Sequence, residues 1–452
     1  MSTNFTNARP GGNGQSIDRA TSQQLKGTVR TRLLETMDLI AARRMPPEEL
    51  HRECLRRVDT LLTEQRIPLS GPEKQQLLRE VMDELFGLGP VEEFLRDPSV
   101  SDILVNGPHQ IYIERFGRLE ETNVSFRDDN QLLQVIHRIA SSIGRRIDES
   151  SPMLDARLAD GSRVNAIIPP LALDGPAMSI RRFGTAPLSV DRLVELDSIT
   201  QEMVDFLKAA VRSRCSMLVS GGTGSGKTTL LNVLSRWIPE TERDITIEDA
   251  AELKFQRKHV VRLETRPPSI EGKGEVTQRE LLKNCLRMRP DRIVIGEVRG
   301  GEALDMLQAM NTGHEGSMTT VHANNPRDAL RRIENMVNMA GLNFPIAAIR
   351  SQIASAIDLT VHIGRLTGGK RKILSIAEVT GMEKDAICLQ DIFRYNQTGV
   401  DASGNAKGYY EVCGVRPQIH DRLKSHGNEL PDNLFQRRVL TPHAAGPHRS
   451  GG

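Results

Sequence analysis

The sequence predicts an α/β architecture: a mostly parallel sheet domain over the second half of the chain, preceded by an α+β domain and by a helical bundle. Three observations carry this. Apolar residues recur at spacings of three and four up to Leu85, so the chain opens with amphipathic helices. From Ser101 the period shortens to two and turn signals such as Asn106-Gly107-Pro108 appear, which marks strands. Beyond Val204 short apolar strands alternate with helical stretches, the order required by a parallel sheet covered on both faces.

Residues 1–24 are rich in Asn, Gly, Ser, Thr and Gln and have little to bury, so a disordered tail is expected. Leu25, Val29, Leu33, Met37 and Ile40 form one apolar stripe, ended by Pro46-Pro47. A second stripe, Leu50, Cys54, Val58 and Leu61, starts where Pro47 fits the first helical position, because its missing N–H would have had no partner there. Ser70-Gly71-Pro72-Glu73 offers a capping box ahead of Leu77, Val81 and Leu85. These helices form a small bundle, or an arm that orders against a partner subunit. Ile103–Val105 and Ile111–Ile113 read as strands, with a second turn at Phe116-Gly117. A helix follows over Leu132, Leu133, Ile136 and Ile139. Then come arginine-bearing strand pieces: Asp155–Leu158, Arg163–Asn165 and Ser179–Phe183.

Composition narrows the function classes. Sixty Lys and Arg against 58 Asp and Glu leave a net charge of +2, which argues against a nucleic-acid sleeve. Four Tyr, one Trp and 11 Phe are too few for a base-stacking platform. No apolar run reaches the ~18 residues that span a bilayer, and the N-terminus lacks an apolar signal core. A cytoplasmic protein is expected. Cys54, Cys215, Cys285, Cys388 and Cys413 are scattered without a C-x-x-C pair, so they read as small buried apolar side chains rather than a zinc or disulfide framework.

The class is decided by Gly221-Gly222-Thr223-Gly224-Ser225-Gly226-Lys227-Thr228-Thr229, which satisfies G-x-x-x-x-G-K-[ST] between the apolar strand Met217–Val219 and a helix carrying Leu230, Leu231, Val233 and Leu234. Glycines let successive N–H groups point at a phosphate, the helix N-terminus adds positive potential, and Lys227 supplies a charge. The Thr228 hydroxyl suits Mg2+. Strand Ile293-Val294-Ile295 ends in Gly296-Glu297, where the commoner arrangement has Asp before Glu; Glu297 is the candidate to orient or deprotonate water. Ile247-Glu248-Asp249, with Glu252 behind, ends another predicted strand; Glu248 either caps the next segment or helps hold Mg2+. His314 and His322 lack the spacing of a zinc pair, and His322, after strand Thr319–Val321, can donate to a terminal phosphate.

These pieces together resemble the four signatures of the secretion ATPases of type II and type IV systems and of type IV pili: GGTGSGKTT, TIEDAAEL, RPDRIVIGEVRG and MNTGHEGSMTTVHANN. Within that superfamily, PMLDARLADGSRVNAIIPPLALDGPAMSIRRF, the N-terminal helices and IAEVTGMEKDAICLQDIFRYNQTGVD resemble the CpaF-type (Tad pilus) assembly ATPases; the likeness spans roughly residues 30–438. The four-cysteine zinc module of many type II assembly ATPases is missing, which tilts the branch away from them. The resemblance implies a RecA-like P-loop domain behind a PAS-like domain, ATP and Mg2+ as ligands, a homo-hexameric ring, and docking on inner-membrane platform proteins. It implies Lys227 and Thr228 as phosphate and Mg2+ ligands, Glu297 as the catalytic carboxylate, Glu248 as a metal or water positioner and His322 as a phosphate sensor. It also implies arginine fingers from the preceding domain, with Arg157, Arg163, Arg181 and Arg182 as candidates and Arg157 and Arg181 favoured.

The expected organisation is a disordered tail (1–24), a helical bundle or arm (25–90), an α+β domain carrying the fingers (91–184), a linker (185–200), a RecA-like ATPase domain (201–438) and a second disordered tail (439–452). The expected function is an ATP-driven motor for pilus assembly, with retraction open, or for protein secretion. The alternatives are a conjugation or DNA-uptake motor acting on DNA, and a nucleotide-gated scaffold without turnover.

Overall fold

A computed structural model describes residues 19–42, 45–115, 117–182, 188–268, 272–341 and 344–440. The chain divides into two units, Met1–Arg182 and Phe183–Gly452.

The first unit opens with helices α1 (Arg19–Thr36), α2 (Leu39–Ala42), α3 (Pro47–Glu64) and α4 (Gly71–Leu85). Helix α1 takes in residues 19–24, which the sequence placed in a tail; Arg19-Ala20 and Gln23-Gln24 are good helix formers with no breaker among them, so the helix propagates N-terminally. The expected single stripe through Ile40 is two helices, because the Asp38 carboxylate accepts from the Ala41 N–H at 3.2 Å and starts a new one. Pro47 stands in the first turn of α3, and Ser70 and Glu73 form the capping box of α4, with the Glu73 carboxylate accepting from the Ser70 N–H at 2.8 Å. Val29, Cys54, Val58, Leu78 and Val81 meet in one core.

After α5 (Glu92–Arg96), strands β1 (Val100–Asn106), β2 (Ile111–Arg115) and β3 (Arg118–Glu121) precede α6 (Asp129–Ser142), followed by β4 (Met153–Arg157), β5 (Arg163–Ile167) and β6 (Ala177–Arg181). They form an antiparallel sheet in the order β3-β2-β1-β6-β5-β4. Alternate residues of its strands, such as Ile103, Val105, Val164 and Ile180, join Leu132, Ile136 and Ile139 of α6 in a core on one face. The expected turn residue Phe116, and Phe183-Gly184 at the end of this region, lie outside the described residues.

The second unit contains α7 (Val190–Glu195), α8 (Gln201–Arg212), β7 (Met217–Gly221), α9 (Lys227–Ser235), β8 (Asp244–Glu248), β9 (Val260–Glu264), α10 (Gln278–Cys285), β10 (Arg292–Ile295), α11 (Glu302–Asn311), β11 (Met318–His322), α12 (Pro326–Met339), α13 (Ile346–Ala356), β12 (Leu359–Arg365), β13 (Arg371–Glu383), β14 (Ala386–Val400), β15 (Ala406–Val412), α14 (His420–Ser425) and β16 (Arg438–Leu440). The expected linker thus contains a helix: the Ser189 hydroxyl caps α7 by accepting from the Arg192 N–H at 3.1 Å, and Leu193 is buried. Val439 and Leu440, expected in the C-terminal tail, are instead part of β16, where Leu440 is paired and buried; residues 1–18 and 441–452 lie outside the described residues.

One sheet runs through this unit in the order β16-β15-β14-β13-β12-β7-β11-β10-β8-β9. From β12 to β9 every pairing is parallel, and from β12 to β16 every pairing is antiparallel. Successive residues of β7 serve opposite cores: Met217 and Val219 pack with α8 and α9, and Leu218 with the cluster containing α11, α12 and α13. The antiparallel half and the edge strand β9 were not expected from periodicity. The stretch before β9 is polar, and β9 is an edge strand whose residues are only partly buried, so it carries little apolar signal. No helix among the described residues is long and apolar enough to cross a membrane. Of the cysteines, Cys54, Cys215 and Cys285 are buried as expected, whereas Cys388 and Cys413 are partly exposed.

Candidate nucleotide site

Parallel pairing brings the candidate residues together, because it puts the C-terminal ends of β7, β11, β10 and β8 along one edge. Gly221 lies in register with His322, and Ile295, two residues before Glu297, lies in register with Ile247, next to Glu248. The loop from Gly222 to Gly226 then needs left-handed backbone at Gly224 (φ 67°) and Gly226 (φ 102°), which a side chain would resist. Gly221 has a separate constraint: a Cβ there would stand 2.2 Å from the Ile363 carbonyl oxygen of β12.

Lys227 begins α9 and is 8% exposed. Its Nζ donates to the carbonyls of Gly221 and Gly222, each at 3.0 Å, and sits 3.5 Å from both ring nitrogens of His322. Burial lowers the Lys227 pKa, opposed by the nearby Glu297 and Glu252 carboxylates. The His322 pKa is also lowered, first by burial and then by the Lys227 charge, so the ring is neutral near pH 7. Its Nε2 lies 3.1 Å from Glu297 Oε1. The tautomer with the proton on Nε2 donates to Glu297, while Lys227 Nζ, equidistant from the two ring nitrogens, lies over the ring. The other Glu297 oxygen accepts from Arg299 at 2.8 Å, and Arg299 reaches Asp249 at 3.1 Å. Glu297 is thereby held in place at the loop's edge.

The structure reassigns the carboxylate nearest Thr228. Glu248, expected as a metal ligand, is 3% exposed, and its Oε2 accepts from the N–H groups of Glu252 and Leu253 at 2.7 and 2.9 Å. Burial pushes its carboxyl up to about 7 against the pull of those two N–H groups. It shapes the turn after β8, and that turn delivers Glu252, whose Oε2 lies 3.4 Å from the Thr228 hydroxyl. A hydroxyl and a carboxylate are hard oxygen donors of the kind Mg2+ takes alongside water and phosphate, so Thr228 and Glu252 fit the ion. Glu252 stood in the sequence only as a trailing acid; its distance of four residues from Glu248 matters because the chain bends there and its N–H closes onto the Glu248 carboxylate.

Gly296 also finds its reason. A Cβ at this position would come within 2.8 Å of Glu248 Cγ, so the acid that more commonly precedes the strand-end Glu has no room beside this buried carboxylate.

In the first unit, Arg157, Arg163 and Arg181 lie in register across β4, β5 and β6. Arg163 is paired with Asp155 at 2.6 Å and Arg181 with Asp102 at 3.1 Å, while Arg157 Nε donates to the Gly161 carbonyl at 3.4 Å. Arg182 differs: it faces backbone, donating to the Val100 carbonyl at 2.9 Å and to that of Asp97.

Residues 84–419 match the family of type II/IV secretion system proteins. The chain is 36% identical over 339 residues to a Mycobacterium tuberculosis protein described provisionally as a conjugal transfer protein, a match covering 70% of this chain and 96% of that one. It is 33% identical over 291 residues to the conjugal transfer protein TrbB of Rhizobium radiobacter, covering 64% and 86% of the two chains. The type IV secretion system protein VirB11 of Bartonella quintana is 32% identical over 328 residues, covering 64% and 91%. With a phosphate loop and a placed carboxylate in the second unit, and this family match running from residue 84 to 419, the chain belongs to the type II/IV secretion system protein family and is an ATPase of it.

Proposed function

We propose that this ATPase is a Mg2+-dependent motor that works as a homo-hexamer on the cytoplasmic face of the inner membrane, docked on membrane-embedded platform proteins, and drives assembly of a Tad-type pilus. The Tad assignment rests on the CpaF-like stretches in the arginine-bearing and C-terminal regions. The observation that carries catalysis is Glu297 at 3.1 Å from His322 Nε2, on the strand end two places from the phosphate loop. Lys227 can trade the Gly221 and Gly222 carbonyls for phosphate oxygens. Thr228 and Glu252 would hold Mg2+, which when bound neutralises phosphate charge. Glu297 accepts the proton of the attacking water as the terminal P–O bond to the nucleoside diphosphate breaks, and neutral His322 steadies that carboxylate while lying close enough to sense the terminal phosphate.

The transferred phosphoryl group spreads negative charge over its oxygens, so an incoming guanidinium is worth ~10³ or more in rate. Arg157, Arg163 and Arg181 stand in register across three strands, and the Arg163–Asp155 and Arg181–Asp102 pairs face solvent, where an ion pair is weak enough to yield to a phosphate. That supports Arg157 and Arg181, with Arg163 between them, as fingers supplied to a neighbouring subunit; Arg182 donates to backbone carbonyls. Mixed rings of Arg181→Ala and Lys227→Ala subunits should recover activity that neither homomer has, and no recovery in confirmed mixed rings refutes the finger.

Glu297→Gln tests the motor reading directly. Nucleotide binding should persist while steady-state phosphate release falls by at least ~10²; unchanged turnover would remove Glu297 from catalysis. A second reading, a conjugation motor acting on DNA, is favoured by relatives named for conjugal transfer. The near-neutral charge weighs against it, since moving a polyanion calls for many phosphate contacts. Salt-sensitive stimulation of hydrolysis by single- or double-stranded DNA would decide for it.

A further inference from the structure

We propose that Arg371, with Arg365 opposite it on the neighbouring strand, is a nucleotide-positioning residue that acts on the phosphate loop of its own chain. The inference rests on the ATP-site reading and adds to it two residues that neither the loop motif nor the strand-end acids contain.

The loop lies against the β12–β13 strand pair. Beyond the close approach of Gly221 to the Ile363 carbonyl, a Cβ on Gly226 would stand 3.5 Å from Ile363 Cδ1 and 3.6 Å from Arg371 Cδ. Arg371 Nε donates to the Gly224 carbonyl at 2.9 Å. In a trans peptide the C=O and the following N–H point in opposite directions. Holding the Gly224 carbonyl toward β13 therefore turns the Ser225 N–H the other way, into the loop, where it faces the Gly222 carbonyl at 3.4 Å. Gly224 and Gly226, both left-handed, stand on either side of Ser225, and such alternation makes a concave row of N–H groups suited to phosphate. Glycines leave these peptides free to rotate, so the conformation needs an outside hold. Arg371 supplies it at the carbonyl between the two glycines.

Arg365 adds a second charge at the same place. It pairs in register with Arg371, and its Nη1 lies 3.6 Å from where a Cβ on Gly224 would stand. A nucleoside di- or triphosphate in the loop carries the charge opposite to both guanidinium groups, so their nearness favours the loaded loop.

The test uses the full chain and equilibrium titration with ADP and with ATP, for wild type, Lys227→Ala, Arg371→Ala, Arg371→Lys and Arg365→Ala. The expected result is tight binding by wild type and none by Lys227→Ala. Arg371→Ala should raise Kd for both nucleotides about tenfold or more, the usual scale for losing a charge-assisted hydrogen bond that orders a site. Arg365→Ala should raise it less, and Arg371→Lys should recover part of the loss, because an ammonium can still donate to the Gly224 carbonyl. KM for ATP should rise with Kd while kcat changes by no more than about threefold. The nucleotide-free unfolding midpoint of each variant should match wild type. Wild-type affinity in Arg371→Ala overturns the proposal and leaves the ATP site intact. Lost affinity that follows a lowered unfolding midpoint, with no recovery in Arg371→Lys, also overturns it. Absence of nucleotide binding by wild type overturns the site itself.

Discussion

Gly296→Ala should destabilise the nucleotide-binding unit, and only when Glu248 keeps its full side chain. The new methyl carbon would stand 2.8 Å from Glu248 Cγ, 3.4 Å from Oε2 and 3.5 Å from Cβ. Neither partner gives way easily. Gly296 is held through its N–H to the Ile247 carbonyl at 2.9 Å and through its carbonyl to the Thr320 hydroxyl at 2.7 Å. Glu248 is held by the Glu252 and Leu253 N–H groups. Overpacking of this kind costs about 1–3 kcal/mol. Gly296 is not among the left-handed residues, so alanine is unstrained there and returns about 0.4–1 kcal/mol through the unfolded chain. The net cost should be about 1–2 kcal/mol. In a Glu248→Ala background the Cγ is gone and the closest approach becomes the ordinary 3.5 Å to Cβ, so the same substitution should turn neutral or slightly stabilising. The coupling is then about 1–3 kcal/mol. Trp237 is the chain's one tryptophan and packs on the core of this unit, so denaturant unfolding followed by its fluorescence reports on the relevant part. Glu248→Gln keeps the volume and removes the charge, and there the cost should persist. Equal effects of Gly296→Ala in wild-type and Glu248→Ala backgrounds would refute the packing argument.

Two more predictions separate the acids after β8. Glu252→Ala should raise the Mg2+ concentration needed for half-maximal hydrolysis by about tenfold, the scale of one lost metal-positioning contact, and by more than Glu248→Gln does; the reverse order would return the metal to Glu248. Glu248 should also mark the pH dependence of stability. Its folded pKa, about 7, lies above the ordinary carboxylate value, so its contribution is full below about pH 4.5 and is lost as pH rises through 7. Between pH 4.5 and 8 wild type should lose up to about 3 kcal/mol relative to Glu248→Gln, since each tenfold change in proton affinity between the folded and unfolded chain is worth about 1.4 kcal/mol. A difference that stays flat across that window would show the carboxylate ionising normally.

The P-loop segment was legible in sequence because its function is local: nine consecutive residues, a strand before and a helix after supply glycines, lysine and threonine in one turn of chain. The Ser70 capping box and the first-turn proline Pro47 were legible for the same reason. Glu297 and His322 stood out as polar residues ending apolar strands, which parallel pairing then aligned. Glu252 was not distinguished from Glu248, since both are acids in one short segment and only the buried turn decides which of them faces Thr228. Nor was Gly296 explained, because its constraint comes from a side chain on the neighbouring strand.

The sequence by itself determined the class of protein, the nucleotide loop, the strand-end carboxylate and the order of helical, α+β and parallel-sheet regions, all of which follow from periodicity and from residues close along the chain. Only the tertiary structure decided which acid stands beside Thr228, the seat of the loop on β12–β13 and the approach of Arg371 to Gly224, 147 residues earlier. The physical reason is that these depend on burial and strand register. A carboxylate's role changes with the N–H groups it meets, and an arginine's with the backbone it reaches, and both are set by segments far apart in sequence.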